Sequence, residues 1–96
     1  MESSASELYF VFMIYDPQYE RLRANRFTKR GAFELDSYLS KKHDEFLARN
    51  LGVGTYRKRY SLAIVDGFAV EICDEQATVL RSTKEVRIVE KNQELS

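Results

Sequence analysis

The chain has 96 residues, 44% of them hydrophobic and 31% charged, a composition typical of one globular domain with a single modest core. Fifteen Lys and Arg balance fifteen Asp and Glu, and this net charge of zero argues against electrostatically driven nucleic-acid binding. One cysteine and one histidine exclude an intrachain disulfide and an ordinary Cys/His zinc site, and no run of about 18 apolar residues could span a membrane.

The first half of the chain predicts a strand, a loop and a helix. Residues 8–15 are uncharged and rich in aromatic and β-branched side chains, and they stop at the turn signal Asp16-Pro17. We therefore expect a strand that is buried on both faces. Residues 18–32 are polar and basic and predict a long loop. Apolar side chains recur with the helical period in residues 33–50, so these residues predict a helix.

The second half begins with a predicted hairpin. Residues 55–63 alternate between apolar and charged or polar side chains, as a half-buried strand does. The pair Asp66-Gly67 is a turn signal, and residues 68–72 alternate again. Two alternating segments joined by such a turn predict an antiparallel pair of strands.

A short helix and a last strand complete the predicted fold. Asp74 is a suitable cap for a helix over residues 75–81, and residues 86–90 predict a strand. The predicted order βαββαβ is that of an α+β, ferredoxin-like domain, with a four-stranded antiparallel sheet and two helices on one face. We expect one domain over residues 1–96, with flexible ends at residues 1–6 and 93–96.

The first strand predicts an apolar patch on the sheet face that the helices leave open. Because residues 8–15 do not alternate, either Phe10 and Phe12 or Val11 and Met13 must lie on that face. Such a patch indicates a partner surface. A different protein, a second copy of the chain and the basic loop are the three ways in which it could be covered.

Four stretches of the chain give it a resemblance to a known family. They are Tyr9-Phe-Val-Phe-Met13, Lys41-Lys-His-Asp-Glu-Phe-Leu47, Tyr56-Arg-Lys-Arg-Tyr60, and Asp66-Gly-Phe-Ala-Val70 leading to Glu75-Gln-Ala77 and Leu80. In this order and spacing the chain resembles the propeptide of subtilisin-like serine proteases, the inhibitor I9 domain, and especially its plant form.

The resemblance implies an inhibitor and folding helper of a subtilisin-like serine protease, without catalysis or a cofactor of its own. In that family the open sheet face sits on two helices of the protease, and the carboxyl-terminal tail lies in the substrate cleft as an added strand. Acidic residues there cap the protease helices, and Glu90 and Asn92 occupy the matching positions. Leu95 would suit an apolar specificity pocket. The residues expected to bind the protease are Glu90, Asn92, Gln93, Glu94, Leu95 and Ser96.

The chain departs from the family pattern in three places. Asn92 can cap a helix but carries no charge, where the family has an acidic residue. Lys84-Glu85 stands where the family usually has Pro-Gly before the last strand, and the tail is about two residues short of the scissile position. The resemblance implies the secretory pathway or the outside of the cell. Residues 1–6 lack the features of a signal peptide, so a cytoplasmic location stays open. We expect a monomer when the chain is free.

Two chemical interpretations compete with protease binding. His43 and Asp44, with Ser61, have the residue types of a hydrolase triad, but His43 lies on the apolar helix face, which favours a packed and hydrogen-bonded histidine. The RNA-recognition motif has the same βαββαβ order and is the alternative function. That motif needs aromatic rings along the third strand, whereas residues 66–73 begin with an acid and lack the second and third rings.

Overall fold

The computed structural model describes residues 5–93, and seven elements follow one another along this part of the chain. They are strand β1 (Glu7–Met13), helices α1 (Pro17–Ala24) and α2 (Lys29–Leu51), strands β2 (Arg57–Leu62) and β3 (Gly67–Ile72), helix α3 (Asp74–Arg81) and strand β4 (Val86–Lys91). The strands form one antiparallel sheet in the order β2-β3-β1-β4. The predicted α+β, ferredoxin-like fold is confirmed, with three helices instead of the two expected.

The long loop predicted over residues 18–32 is wrong, because this segment holds most of α1 and the start of α2. Asp16 is the N-cap of α1, its carboxylate accepts from the Gln18 N–H at 3.0 Å, and Pro17 occupies the first turn. Capping with proline in the first turn is a helix start as well as a turn signal. Only Tyr19 is buried in these eight residues, so no apolar period marks the helix.

Helix α2 begins four residues before the predicted start at residue 33. The Thr28 side chain caps it by accepting from the Gly31 N–H at 2.8 Å. A Cβ on Gly31 would lie 1.7 Å from the carbonyl oxygen of Asn25. Glycine therefore allows the α1–α2 turn to pack directly against α2, where the sequence had suggested the end of a loop. Gly52, with φ 85°, ends the helix as expected.

Strand β1 is buried on one face only, which corrects the expectation of burial on both. Tyr9, Val11 and Met13 are at most 5% exposed and point towards the helices, whereas the residues between them are only half-buried. The core that these side chains join contains residues of α2, α3 and the other strands: Phe46, Leu47, Phe68, Val70, Ile72, Ala77, Leu80 and Val89. The open sheet face therefore carries Phe10 and Phe12.

The cap predicted for α3 is displaced by one residue. Cys73 is the N-cap, and its backbone N–H donates to the Gln76 side chain at 3.0 Å, as in a capping box. Asp74 is the first helical residue, and its carboxylate accepts a hydrogen bond from the Tyr9 hydroxyl. This bond ties the start of α3 to the central strand, so Asp74 stabilises the packing of α3 on the sheet.

Candidate protein-binding surface

The open face of the sheet has an apolar centre. Directly paired residues of antiparallel strands share a face. Phe12 is paired with Gly67 and Ile88, and Phe10 is paired with Ala69 and Glu90. The open face defined by this register carries the apolar side chains of Leu8, Phe10, Phe12, Tyr60, Leu62, Ala69 and Ile88.

Gly67 lets the Phe12 ring lie close to the sheet. A Cβ on Gly67 would stand 2.9 Å from Cδ1 of Phe12 and 2.7 Å from the carbonyl oxygen of Val11. Any other residue would push the ring outwards or spread the strands. The glycine thus allows the Phe12 ring to pack flat on the backbone at the middle of the open face.

Charged side chains form the rim of the open face. On the β2 side Arg59 forms an ion pair with Glu71. On the β4 side the Arg87 guanidinium lies 5.9 Å from the centre of the Phe12 ring, and Glu90 is exposed. An apolar centre with a charged rim is the usual anatomy of a protein–protein contact surface.

Three of the six predicted protease-binding residues lie in the described part of the chain. Glu90 stands on β4 with the open-face parity, opposite Phe10. The Asn92 N–H donates to the Leu8 carbonyl at 2.8 Å, which extends the pairing of β4 with β1, and the exposed Gln93 follows. Glu94, Leu95 and Ser96 lie outside the described residues. The roles of all six stay predictions.

The turn before β4 is held without the Pro-Gly of the family pattern. The Glu85 carbonyl accepts from the Ile14 N–H at 3.0 Å, and its carboxylate forms an ion pair with Arg49 at 2.9 Å. In the family the Pro-Gly pair would restrain the backbone of this turn. Here the turn is held by a backbone hydrogen bond to the end of β1 and by a side-chain contact to α2.

A polar network behind the sheet joins elements that the sequence could not pair. Lys42 on α2 donates to Asp16 at 2.8 Å and also to Asp66, which follows β2. Asp66 accepts from Nε2 of His43 at 2.8 Å, and Nδ1 of His43 lies 2.8 Å from the Ser61 hydroxyl. In the sequence, only the adjacent polar residues Lys42 and His43 on the helix indicated such a network. Their partners are distant in the sequence and could not be predicted from it.

Burial sets the charge states in this network. Burial lowers the pKa of His43, although the Asp66 carboxylate opposes the change, so the imidazole is neutral near pH 7. Burial would raise the pKa of Asp16, but hydrogen bonds from Lys42 and Tyr38 hold it below its usual value. Burial, together with a 2.5 Å hydrogen bond to Asp16, raises the pKa of Tyr38.

The geometry places His43 in a structural role. Its side chain is fully buried against the Phe68 ring, with 4.7 Å between ring centres, and both ring nitrogens have partners. Serine contacts Nδ1 and aspartate contacts Nε2, the reverse of the arrangement in serine-protease triads. Asp44 does not contact the ring and pairs with Lys58 at 2.8 Å.

The described residues give little support to the other types of site. Residues 5–93 hold no group of three or more side chains arranged to bind a metal ion, and no helix among them is long and apolar enough to cross a membrane. The positions of β3 that face the open side are Gly67, Ala69 and Glu71. Strand β3 thus offers no ring on which a base could stack, which counts against an RNA-recognition motif.

The fold and the open face together define a ferredoxin-like domain with a surface suited to a protein partner. The chain is 39% identical over 56 residues to subtilisin-like protease SBT2.5 of Arabidopsis thaliana. The match covers 57% of this chain and 7% of that protein. No family model matches the chain, and no solved structure matches it. The similarity indicates a region related to subtilisin-like proteases, of which this chain spans only a small part.

Proposed function

We propose that this domain binds and inhibits a subtilisin-like serine protease, in the manner of a protease propeptide. The observation that carries the proposal is the open sheet face, with Phe10 and Phe12 at its centre, in a chain that is similar to part of such a protease. The apolar centre supplies the driving force for association, and the charged rim supplies orientation.

Glu90 and the tail add the specific contacts. Glu90 is exposed at the β4 rim, where its carboxylate can accept hydrogen bonds from the N-terminus of a protease helix. β4 is an edge strand, and the Asn92 N–H continues its pairing with β1 by donating to the Leu8 carbonyl. Residues 93–96 then enter the substrate cleft as an added strand, without a reactive group of their own.

A folding role follows from the same contacts. A domain that binds the native protease and not its unfolded chain stabilises the native state by mass action. Help with folding therefore needs no further site. We expect the two proteins to meet in the secretory pathway or outside the cell.

The first test is inhibition of several plant and bacterial subtilases by the purified chain, with a matched pair of variants. Phe12→Ser removes the ring at the centre of the open face and should raise the inhibition constant at least tenfold. Phe33→Ser removes a ring that is 71% exposed on α2 and should leave the constant unchanged. Circular dichroism melting checks that both variants fold.

Two results would contradict the proposal. One is the absence of inhibition at micromolar concentration across the protease panel, with the domain folded. The other is equal inhibition by the Phe12→Ser and Phe33→Ser variants. RNA binding that weakens with added salt would favour the alternative function instead.

The tail is tested separately, by deletion of residues 93–96. Complete burial of Leu95 would contribute roughly 1.5–3 kcal/mol, part of which is lost in ordering the tail. The deletion should raise the inhibition constant about tenfold or more and leave the melting temperature nearly unchanged. Extension by two residues, ending in one that the protease prefers, should tighten inhibition. If the deleted chain inhibits as well as the full chain, the cleft is not occupied.

A further inference from the structure

Four large apolar side chains are exposed together at the end of the sheet where β1 stops. Ile14 and Tyr15 follow β1 and are 45% and 74% exposed, and Ile64 and Val65 lie in the β2–β3 turn and are 72% and 41% exposed. These four residues, here called the apolar shelf, line one groove of about 390 Å³. Four such side chains on one small groove exceed the scattered exposure that is normal for a surface.

The backbone of the apolar shelf is fixed by hydrogen bonds from several elements. The Met13 N–H donates to the Asp66 carbonyl at 2.8 Å, and the Tyr19 hydroxyl donates to the Ala63 carbonyl at 2.8 Å. Nε of Arg23 on α1 donates to the Ile64 carbonyl at 3.0 Å. A surface that is held in place before binding loses little conformational entropy when a partner docks.

Two arginines give the groove a preference for a negative charge. Arg23 and Arg87 both line it, together with the exposed Glu20. Asp16 and Asp66 also line the groove, but both carboxylates are paired with Lys42, and Asp66 also accepts from His43. The chemistry that fits is an apolar segment that carries a carboxylate.

The apolar shelf is continuous with the open face and lies at the opposite end of β1 from Asn92. Arg87 lines the groove and also lies over the Phe12 ring at the centre of the open face. Asn92 lies beside Leu8, whose carbonyl accepts from the Asn92 N–H. Six residues of strand separate Leu8 from Ile14, a distance of about 20 Å. A partner that covers the open face can reach both ends of it.

We propose that the apolar shelf is a second contact for the same protease, which docks an apolar, acidic segment of its surface there, outside the substrate cleft. The inference rests on the proposed function and identifies what selects the cognate enzyme. The clefts of related proteases share their chemistry, whereas surface segments about 20 Å away need not. The apolar shelf therefore separates proteases that the tail alone treats alike.

The experiment measures inhibition constants for a panel of subtilases with shelf variants and matched controls. The double variant Ile64→Ser with Val65→Ser, and separately Tyr15→Ser, should each raise the constant about tenfold for the protease that is inhibited best. Phe27→Ser removes an apolar side chain that is 82% exposed in the α1–α2 turn and should change nothing. Arg87→Glu should slow association more at low salt than at high salt, whereas Lys29→Glu should not.

The outcomes separate this inference from the proposed function. If the wild-type chain inhibits and the shelf variants inhibit equally well, while remaining folded, the apolar shelf is not a contact and the proposed function stands. Equal losses against every protease would also overturn the selective role. If the wild-type chain inhibits none of the proteases, the proposed function and the inference both fail.

Discussion

Substitution of His43 tests the buried polar network through the pH dependence of stability. The neutral imidazole can form a hydrogen bond with each neighbour, because Nε2–H donates to Asp66 and Nδ1 accepts from the Ser61 hydroxyl. Burial lowers the pKa of this imidazole in the folded protein, whereas in the unfolded chain it returns to about 6.5. His43→Gln keeps a neutral polar side chain and removes the titration.

The sign of the effect follows from proton counting. Between the lowered pKa of the folded state and about 6.5, the unfolded chain binds more protons than the folded protein does. The free energy of unfolding therefore rises with pH in this range, and it falls as the pH drops below about 6.5. One such group contributes a slope of at most about 1.4 kcal/mol per pH unit. In a domain of this size each kcal/mol corresponds to about 4–8 °C in melting temperature.

The assay is urea unfolding at half-unit steps from about pH 5 to about pH 7.5, for the wild-type chain and the His43→Gln variant. His43 is the chain's one histidine, so the difference between the two slopes belongs to this residue. Asp16 titrates separately: its lowered pKa means that its contribution is lost as pH falls from about 3.8. We expect the stability of the variant to depend less on pH than that of the wild-type chain. At the upper pH the variant should also be less stable than the wild-type chain, because it lacks the packing of the imidazole ring. Parallel profiles would refute the neutral, buried imidazole.

Two further stability predictions come from close contacts. Gly67→Ala should lower the free energy of unfolding by about 1–3 kcal/mol in urea titrations, because a Cβ meets both Val11 and the Phe12 ring; an unchanged value would mean that the ring moves freely. Lys42→Met should cost about 3 kcal/mol in the same assay, since it leaves two carboxylates behind α2 without their shared cation. The matched control Lys58→Met, which breaks a pair with the mostly exposed Asp44, should cost about 1 kcal/mol or less, and equal losses would refute the distinction.

Strand β1 was predictable from its aromatic and β-branched composition, and strands β2 and β3 were predictable from alternation on either side of a turn signal. The alternating segments were residues 55–63 and 68–72 around an Asp-Gly turn, and the structure pairs β2 with β3 as the predicted hairpin. Helix α1 was not predictable from period. Its signals were the cap Asp16 and Pro17, which also mark turns, and its burial consists mainly of Tyr19 against α2.

The candidate site was predictable as a face and not as a set of residues. Both parities of β1 are apolar, so the period could not distinguish Phe10 and Phe12 from Val11 and Met13. Packing against α2 and α3 determines which side of β1 is buried, and this packing depends on the tertiary structure. The network around Lys42 was hidden for a related reason, because a lysine on an amphipathic helix has the pattern of a solvated residue whatever it contacts.

The position of α1 narrows what can cover the open face. The segment predicted as a basic loop forms most of α1 and the start of α2. Tyr19 of α1 packs with Leu35 and Leu39 of α2, so this segment is not available to cover the open face. A second copy or a different protein remains. A second copy would have the open face as its main contact. A protease would engage the open face, the tail and the apolar shelf together. Affinity for such a partner should therefore exceed self-association, which is why the free chain is expected to be a monomer.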